Sequence, residues 1–351
     1  MTIQLSVLDQ SPIRFGGSGA QALAETVALA KAADDLGYHR YWVAEHHNTK
    51  AFAGSSPEIM IARLGAETKR LRIGSGGVML PHYSPLKVAE NFRVLEGLYP
   101  GRIDLGLGRA PGGDPMTAAA LQAGPKSWGI ETFPQQVNLL RHYLEEAAGL
   151  TQWPEGHPYQ HVHAMPKGAS VPDMWMLGST AYGGILAAEL GLPFAYAHFI
   201  SRDDDGPEIA QEYRARFKPR EPGDRPRTAV CYFVLAAPTQ AEAEHLAWSR
   251  TLWVLDLLAN KAGSFPDPND PRKVSLSEPE QALARRIASR AIVGSPGQVR
   301  DGIEAAAARY GAEEVFVLTI TYAFADRLRS YELIADAFGM RQGLMAAPDA
   351  A

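Results

Sequence analysis

Residues 3–44 read IQLSVLDQSPIRFGGSGAQALAETVALAKAADDLGYHRYWVA, and this stretch holds the repeating unit of the whole chain. Its first part, 3–9, is a short apolar run of the kind that forms a strand. Leu23, Val27, Ala30 and Ala33 then fall at i, i+4, i+7 and i+10, one face of a 3.6-residue period. Gly37 supplies the stop, because glycine accepts the left-handed conformation that ends a helix. A second apolar run, 39–44, follows at once. Strand, helix and strand in that order imply parallel strands joined by a right-handed crossover.

The same alternation continues outward. Strands are predicted at 3–9, 39–44, 72–80, 102–108, 173–178, 193–198, 228–236 and 314–320, and each precedes a helical segment. One of these helices opens at Ser295-Pro296-Gly297-Gln298, with an N-cap serine, a proline at the first position and a glutamine completing a capping box. The last helix carries Leu328, Tyr331, Ile334 and Phe338 on one side. Eight units point to an α/β protein closed as a (β/α)8 TIM barrel, one domain over 1–351. The alternative is an open doubly wound sheet, but no Gly-x-Gly-x-x-Gly follows the first strand. Two stretches break the rhythm and read as insertions: 149–171, rich in Pro, Gly and His, and the polar, Pro-rich 260–279.

Composition excludes several classes. With 46% hydrophobic and 21% charged residues, the 351-residue chain is ordinary for a soluble globular protein. A net charge of −5 argues against a dedicated nucleic-acid binder. One cysteine, Cys231, cannot form an internal disulfide, and it reads as a buried filler. The N-terminus lacks a signal-like pattern, and no run reaches the roughly 18 apolar residues that span a bilayer. The expected location is cytoplasmic.

In a barrel the chemistry belongs at the C-terminal ends of the strands. After the second strand come Glu45, His46 and His47, an acid and two histidines suited to proton handling. Neighbouring residues of an extended segment point opposite ways, so the two histidines do not suit one metal, and no metal-ligand spacing appears elsewhere. The third strand contains Gly74, Gly76 and Gly77; glycines there mark a bulge or a close approach of a ligand. Arg109 ends the fourth strand, and its guanidinium suits a phosphate as well as a rim salt bridge. The fifth runs through Gly178 and Ser179 directly into a helix, giving an anion site or simply an N-cap.

Read together, these motifs resemble the bacterial luciferase-like monooxygenases. The resemblance is carried by Glu45-His46-His47, by the run from Ile73 to Pro81, by the run from Pro100 to Arg109, by Leu177-Gly178-Ser179-Thr180 leading to Leu190-Gly191-Leu192-Pro193, and by Val293-Gly294-Ser295-Pro296. It implies FMN at the barrel mouth. There reduced FMN, supplied by a separate flavin reductase, reacts with molecular oxygen to a flavin 4a-hydroperoxide that oxidises a small organic substrate. It assigns catalysis to His46. Cofactor binding falls to Glu45, to Gly76 and Gly77 (where the family carries a cis peptide against the flavin ring), to Arg109, Gly178 and Ser179, and to Tyr182. It implies a mobile lid near 260–290 and a homodimer through the second and third helices, where Ile59, Ile61, Ala62 and Leu64 occupy more than one face. Gly178 and Gly108 stand where the light-emitting luciferase subunit has an acid and a cysteine, so light emission is not expected. A deazaflavin-dependent dehydrogenase and a non-catalytic flavin-binding protein are the alternatives on this fold. Phe52, Trp128, Phe199 and Trp253 are candidate pocket walls.

Overall fold

The computed structural model describes residues 3–110, 113–122, 130–201 and 203–341. The strands are β1 (Gln4–Asp9), β2 (Arg40–Val43), β3 (Arg72–Met79), β4 (Ile103–Gly108), β5 (Asp173–Gly178), β6 (Phe194–Ala197), β7 (Thr228–Ala236), a three-residue β8 (Ile292–Gly294) and β9 (Glu314–Leu318). All but β8 form one ring of parallel strands, closed where β9 bonds to β1 on one side and β7 on the other. The (β/α)8 barrel is therefore present. All eight expected strands are found, with ends shifted by no more than two residues.

β8 was not expected. The last three residues of β7, Val234–Ala236, project past β9 and pair with Ile292–Gly294 instead. A three-residue run shows no periodicity of its own, which is why pattern reading passes over it.

The helices are α1 (Gly19–Leu36), α2 (Pro57–Glu67), α3 (Pro85–Leu98), α4 (Pro115–Leu121), α5 (Phe133–Ala147), α6 (Ala181–Leu190), α7 (Gly206–Arg216), α8 (Gln240–Leu258), α9 (Glu278–Ser289), α10 (Pro296–Tyr310) and α11 (Phe324–Ala337). Gly37 does end α1, with φ 86°. The buried face of α1 is turned by about one position from the expected one: Ala22, Thr26, Leu29, Ala30 and Ala33 are buried, while Leu23 and Val27 are only partly so. Thr26 decides this. Its hydroxyl is 2.9 Å from the buried hydroxyl of Ser11, a polar pairing that a hydrophobic count does not see. The capping box at Ser295 is present, and Ser18 and Ser277 form two more.

The N-terminal end of the barrel is filled by charge. Arg40 reaches Asp104 at 2.8 Å and Glu314 at 3.1 Å, Arg72 also pairs with Asp104, and Arg227 with Asp173. Above this layer Trp42 packs on Phe316 and meets Trp175 edge-on. Open space is left to the other end. Residues 260–290 follow β7 and α8 and lie on that open side, where Phe265 bonds to the segment after β1 through Ile13 and Phe15. Residues 149–171 lie at the opposite end, because they precede a strand instead of following one; Arg93 of α3 holds the carbonyls of Pro166, Gly168 and Ser170 there. Among the described residues no helix is long and apolar enough to cross a membrane.

Candidate active site

A cavity of about 420 Å3 opens at the C-terminal mouth of the barrel, within the range of small-molecule sites. All eight residues singled out in the sequence line it: Glu45, His46, Gly76, Gly77, Arg109, Gly178, Ser179 and Tyr182. They come from four different strand ends, so only barrel closure brings them together.

His46 follows the end of β2. Its ring stacks on Phe52 with centroids 4.4 Å apart. Burial, helped by the neighbouring His47, lowers its pKa to about 4, so the ring is neutral at pH 7. Its Nε2 lies 3.4 Å from the side-chain nitrogen of Gln10. With that amide donating, Nε2 accepts and the ring proton sits on Nδ1. Nδ1 is buried and has no partner among the described residues, which leaves a polar atom to be satisfied by whatever enters the site.

His47 turns the other way, as neighbours on an extended chain do, and its Nε2 is 2.8 Å from Glu45 Oε1. Glu45 is 1% exposed and spoken for: Tyr83 donates to Oε1 at 2.6 Å, and the Met79 N–H to Oε2 at 3.0 Å. It joins the ends of β2 and β3 while forming part of the wall. Burial together with the Glu45 carboxylate raises the Tyr83 pKa, keeping that hydroxyl a donor.

The glycines of β3 sit at a bulge, and what comes close to them is the barrel itself. The β3–β4 register shifts between Ser75 and Val78, and the Gly76–Gly77 peptide is cis. A Cβ on Gly77 would stand 2.6 Å from the Gly106 carbonyl oxygen, and one on Gly76 2.6 Å from Leu8 Cδ1. At Gly77 the barrel's own backbone excludes a side chain, and at Gly76 Leu8 would have to move to admit one. The result is a smooth wall beside Leu8, Trp42 and Phe316, which suits the flat face of an aromatic ring.

Arg109 lies over the ring of Tyr182, with its guanidinium carbon 3.9 Å from the centroid. The alternative of a rim salt bridge is not realised: among the described residues no carboxylate pairs with it. Beside it α6 begins. Its N-cap is Thr180, not Ser179, and the cap makes no side-chain hydrogen bond. The first-turn N–H groups, the helix dipole and a cation that no carboxylate of the described residues pairs with converge on one corner, a good fit to a phosphate. An apolar, side-chain-free wall and an anion corner in one cavity suit a planar aromatic ring that carries an anionic tail.

Other wall residues escaped the sequence reading. Gln10 directly follows β1, and a lone polar residue there carries no special signal. Cys231 is buried, as expected, but on the inner face of β7, where it reaches the cavity; burial pushes its thiol pKa well up. Of the candidate aromatic walls Phe199 lines the cavity. Phe52 and Trp253 stand behind it, packed on each other and on Phe265. Trp128 lies outside the described residues. Residues 260–290 line no part of this cavity.

Comparison with known proteins agrees with this geometry. The family model described as luciferase-like monooxygenase matches residues 3–314. The uncharacterised protein YwcH of Bacillus subtilis (strain 168) is 48% identical over 345 residues, covering 96% of this chain and 99% of its own. The N-acetyl-S-alkylcysteine monooxygenase of the same organism is 35% identical, covering 95% of this chain and 98% of its own. Among solved structures, apo-MsnO8 superposes with a TM-score of 0.85 at 38% identity, covering 96% of this chain and 99% of that one.

Proposed function

The chain belongs to the luciferase-like monooxygenase family, and from that premise we propose that it is an FMN-dependent monooxygenase, using reduced FMN from a separate flavin reductase to oxidise a small organic substrate with molecular oxygen. The observation that carries this reading is the pairing, in one cavity, of an anion corner with a wall stripped of side chains. Reduced flavin, when bound, supplies the electrons that activate oxygen. The chain supplies the rest. Arg109 and the N-terminus of α6 hold the phosphate, Tyr182 holds the Arg109 plane, and the glycine wall of β3 receives the ring. His46, neutral and with Nδ1 unpartnered, is placed to give or take a proton at the reacting centre. Leu8, Phe199 and Phe316 keep water from it. A relative at 35% identity bears the name of a monooxygenase, which supports oxygen chemistry over deazaflavin-dependent dehydrogenation or bare flavin binding.

Two further parts belong to the same proposal. Residues 260–290 act as a cover on the open side of the barrel, hinged beyond Phe265. A homodimer forms through α2 and α3, where Ile59, Val94 and Leu98 remain exposed although Ile61 and Leu64 are buried.

The test is a pair of titrations. Arg109→Ala should weaken FMN binding by about tenfold or more, the worth of a charge-assisted contact, and riboflavin far less. Equal weakening of the two ligands removes Arg109 from phosphate binding, and no flavin binding by the unaltered protein removes the function.

A further inference from the structure

A second cavity, of about 550 Å3, lies between α8 on one side and α9 with the short helical turn Pro271–Val274 on the other. Its walls are largely apolar, from Phe233 on β7 through Ala247 and Trp248 to Ala284 and Val293. Its charges are unbalanced. Arg250, Lys273 and Arg285 face it, against one carboxylate among the described residues, that of Glu244, which accepts a hydrogen bond from Gln240.

Arg250 is the unusual member. Its guanidinium lies 4.4 Å from the Phe233 ring centroid, and one nitrogen donates to the Phe199 carbonyl at 3.2 Å. Among the described residues no carboxylate pairs with it, and it lines the cavity. Burial lowers its pKa to about 10. A cation partly withdrawn from water without a counter-ion is costly, and an anionic group arriving with a ligand relieves that cost. Lys273, held 4.9 Å over the Trp248 ring, adds a second positive charge at the wall.

The two cavities are neighbours. Phe199 lines the first and offers its carbonyl to Arg250 in the second. Cys231 and Phe233, two apart on β7, face the same way, one toward each. We propose that the second cavity binds the carboxylate of an amphipathic organic acid through Arg250, anchoring a substrate whose reactive part lies beyond Phe199 in the first cavity. That the bound acid is the substrate rests on the flavin reading above; that the acid binds does not.

The experiment is calorimetric titration of the full chain at pH 7 with 4-phenylbutyrate and with its neutral counterpart 4-phenylbutan-1-ol. The acid should bind about tenfold tighter or more, as expected for a charge-assisted, fork-shaped contact. Arg250→Gln should bring acid and alcohol to parity, and Arg250→Lys should fall between. Equal affinity of the unaltered protein for acid and alcohol overturns the proposal, and this comparison needs no variant to fold. A preference for the acid that survives in Arg250→Gln overturns it as well. FMN is titrated in parallel: failure there removes the flavin reading and leaves the acid measurement to be judged by itself.

Discussion

His46 offers a buried Nδ1 without a partner among the described residues and a ring held neutral by its surroundings. Both follow from position. The ring is pressed on Phe52 at the end of a strand, where burial penalises the imidazolium. A neutral imidazole at pH 7 can carry a proton in either direction. His46→Ala should therefore cut coupled product formation by about a hundredfold or more, the scale of general acid–base catalysis, with the melting temperature little changed. Oxygen consumption measured beside product formation checks this, and unaltered coupling would take His46 out of the reaction. At this scale the sequence was legible where residue type is restrictive. An arginine or a histidine at a strand end stands out. Gln10 did not, because amides occupy such positions for many reasons; Phe199 was one of four aromatic candidates, and only the closed ring shows which of them face inward.

At the scale of elements, β3 and β4 are shaped by how near their backbones approach. A Cβ on Gly106 would stand 2.2 Å from the Ser75 carbonyl oxygen, and backbone cannot give way as a flexible side chain can. Gly106→Ala should cost about 1–3 kcal/mol, as overpacking does. Gly263→Ala, where nothing lies within 4 Å, should stay within about 0.5 kcal/mol. Urea denaturation of the two variants makes the comparison, and equal costs would mean that contact does not explain these glycines. The strands were readable because parallel barrel strands are nearly continuous apolar runs bounded by helices of a different period. The buried face of α1 was misjudged by one position because Thr26 pays its way in hydrogen bonding, not in hydrophobicity. β8 was missed because its pairing depends on where β7 happens to project.

Over the whole molecule, three histidines are held near pKa 4, each with burial as the main cause: His39 before β2, His46 after it and His198 after β6. Their unfolded pKa is about 6.5. The folded values are the lower ones, so the unfolded chain binds the extra protons. Their contribution to stability is complete above about pH 6.5, declines as pH falls toward 4, and changes little below that. Melting temperatures recorded across this window should fall, and His39→Gln should make the fall shallower; a slope unaffected by the substitution would locate the acid sensitivity elsewhere. None of this was visible before the fold, since burial of a histidine depends on what the closed ring stacks against it.

The pairing of β7 with β8 has a consequence for how such a protein diversifies. The chain leaves the ring after Ala236 and comes back beside that exit at Ile292, still outside the ring, and these two points belong to adjacent, bonded strands. Everything between them, α8, the turn at Pro271 and α9, is an excursion that departs and arrives at one doorstep. Lengthening it, shortening it or exchanging it for another alters no spacing around the circle. The excursion can thus be rewritten as a cassette, while the cavity at the barrel mouth stays as it was.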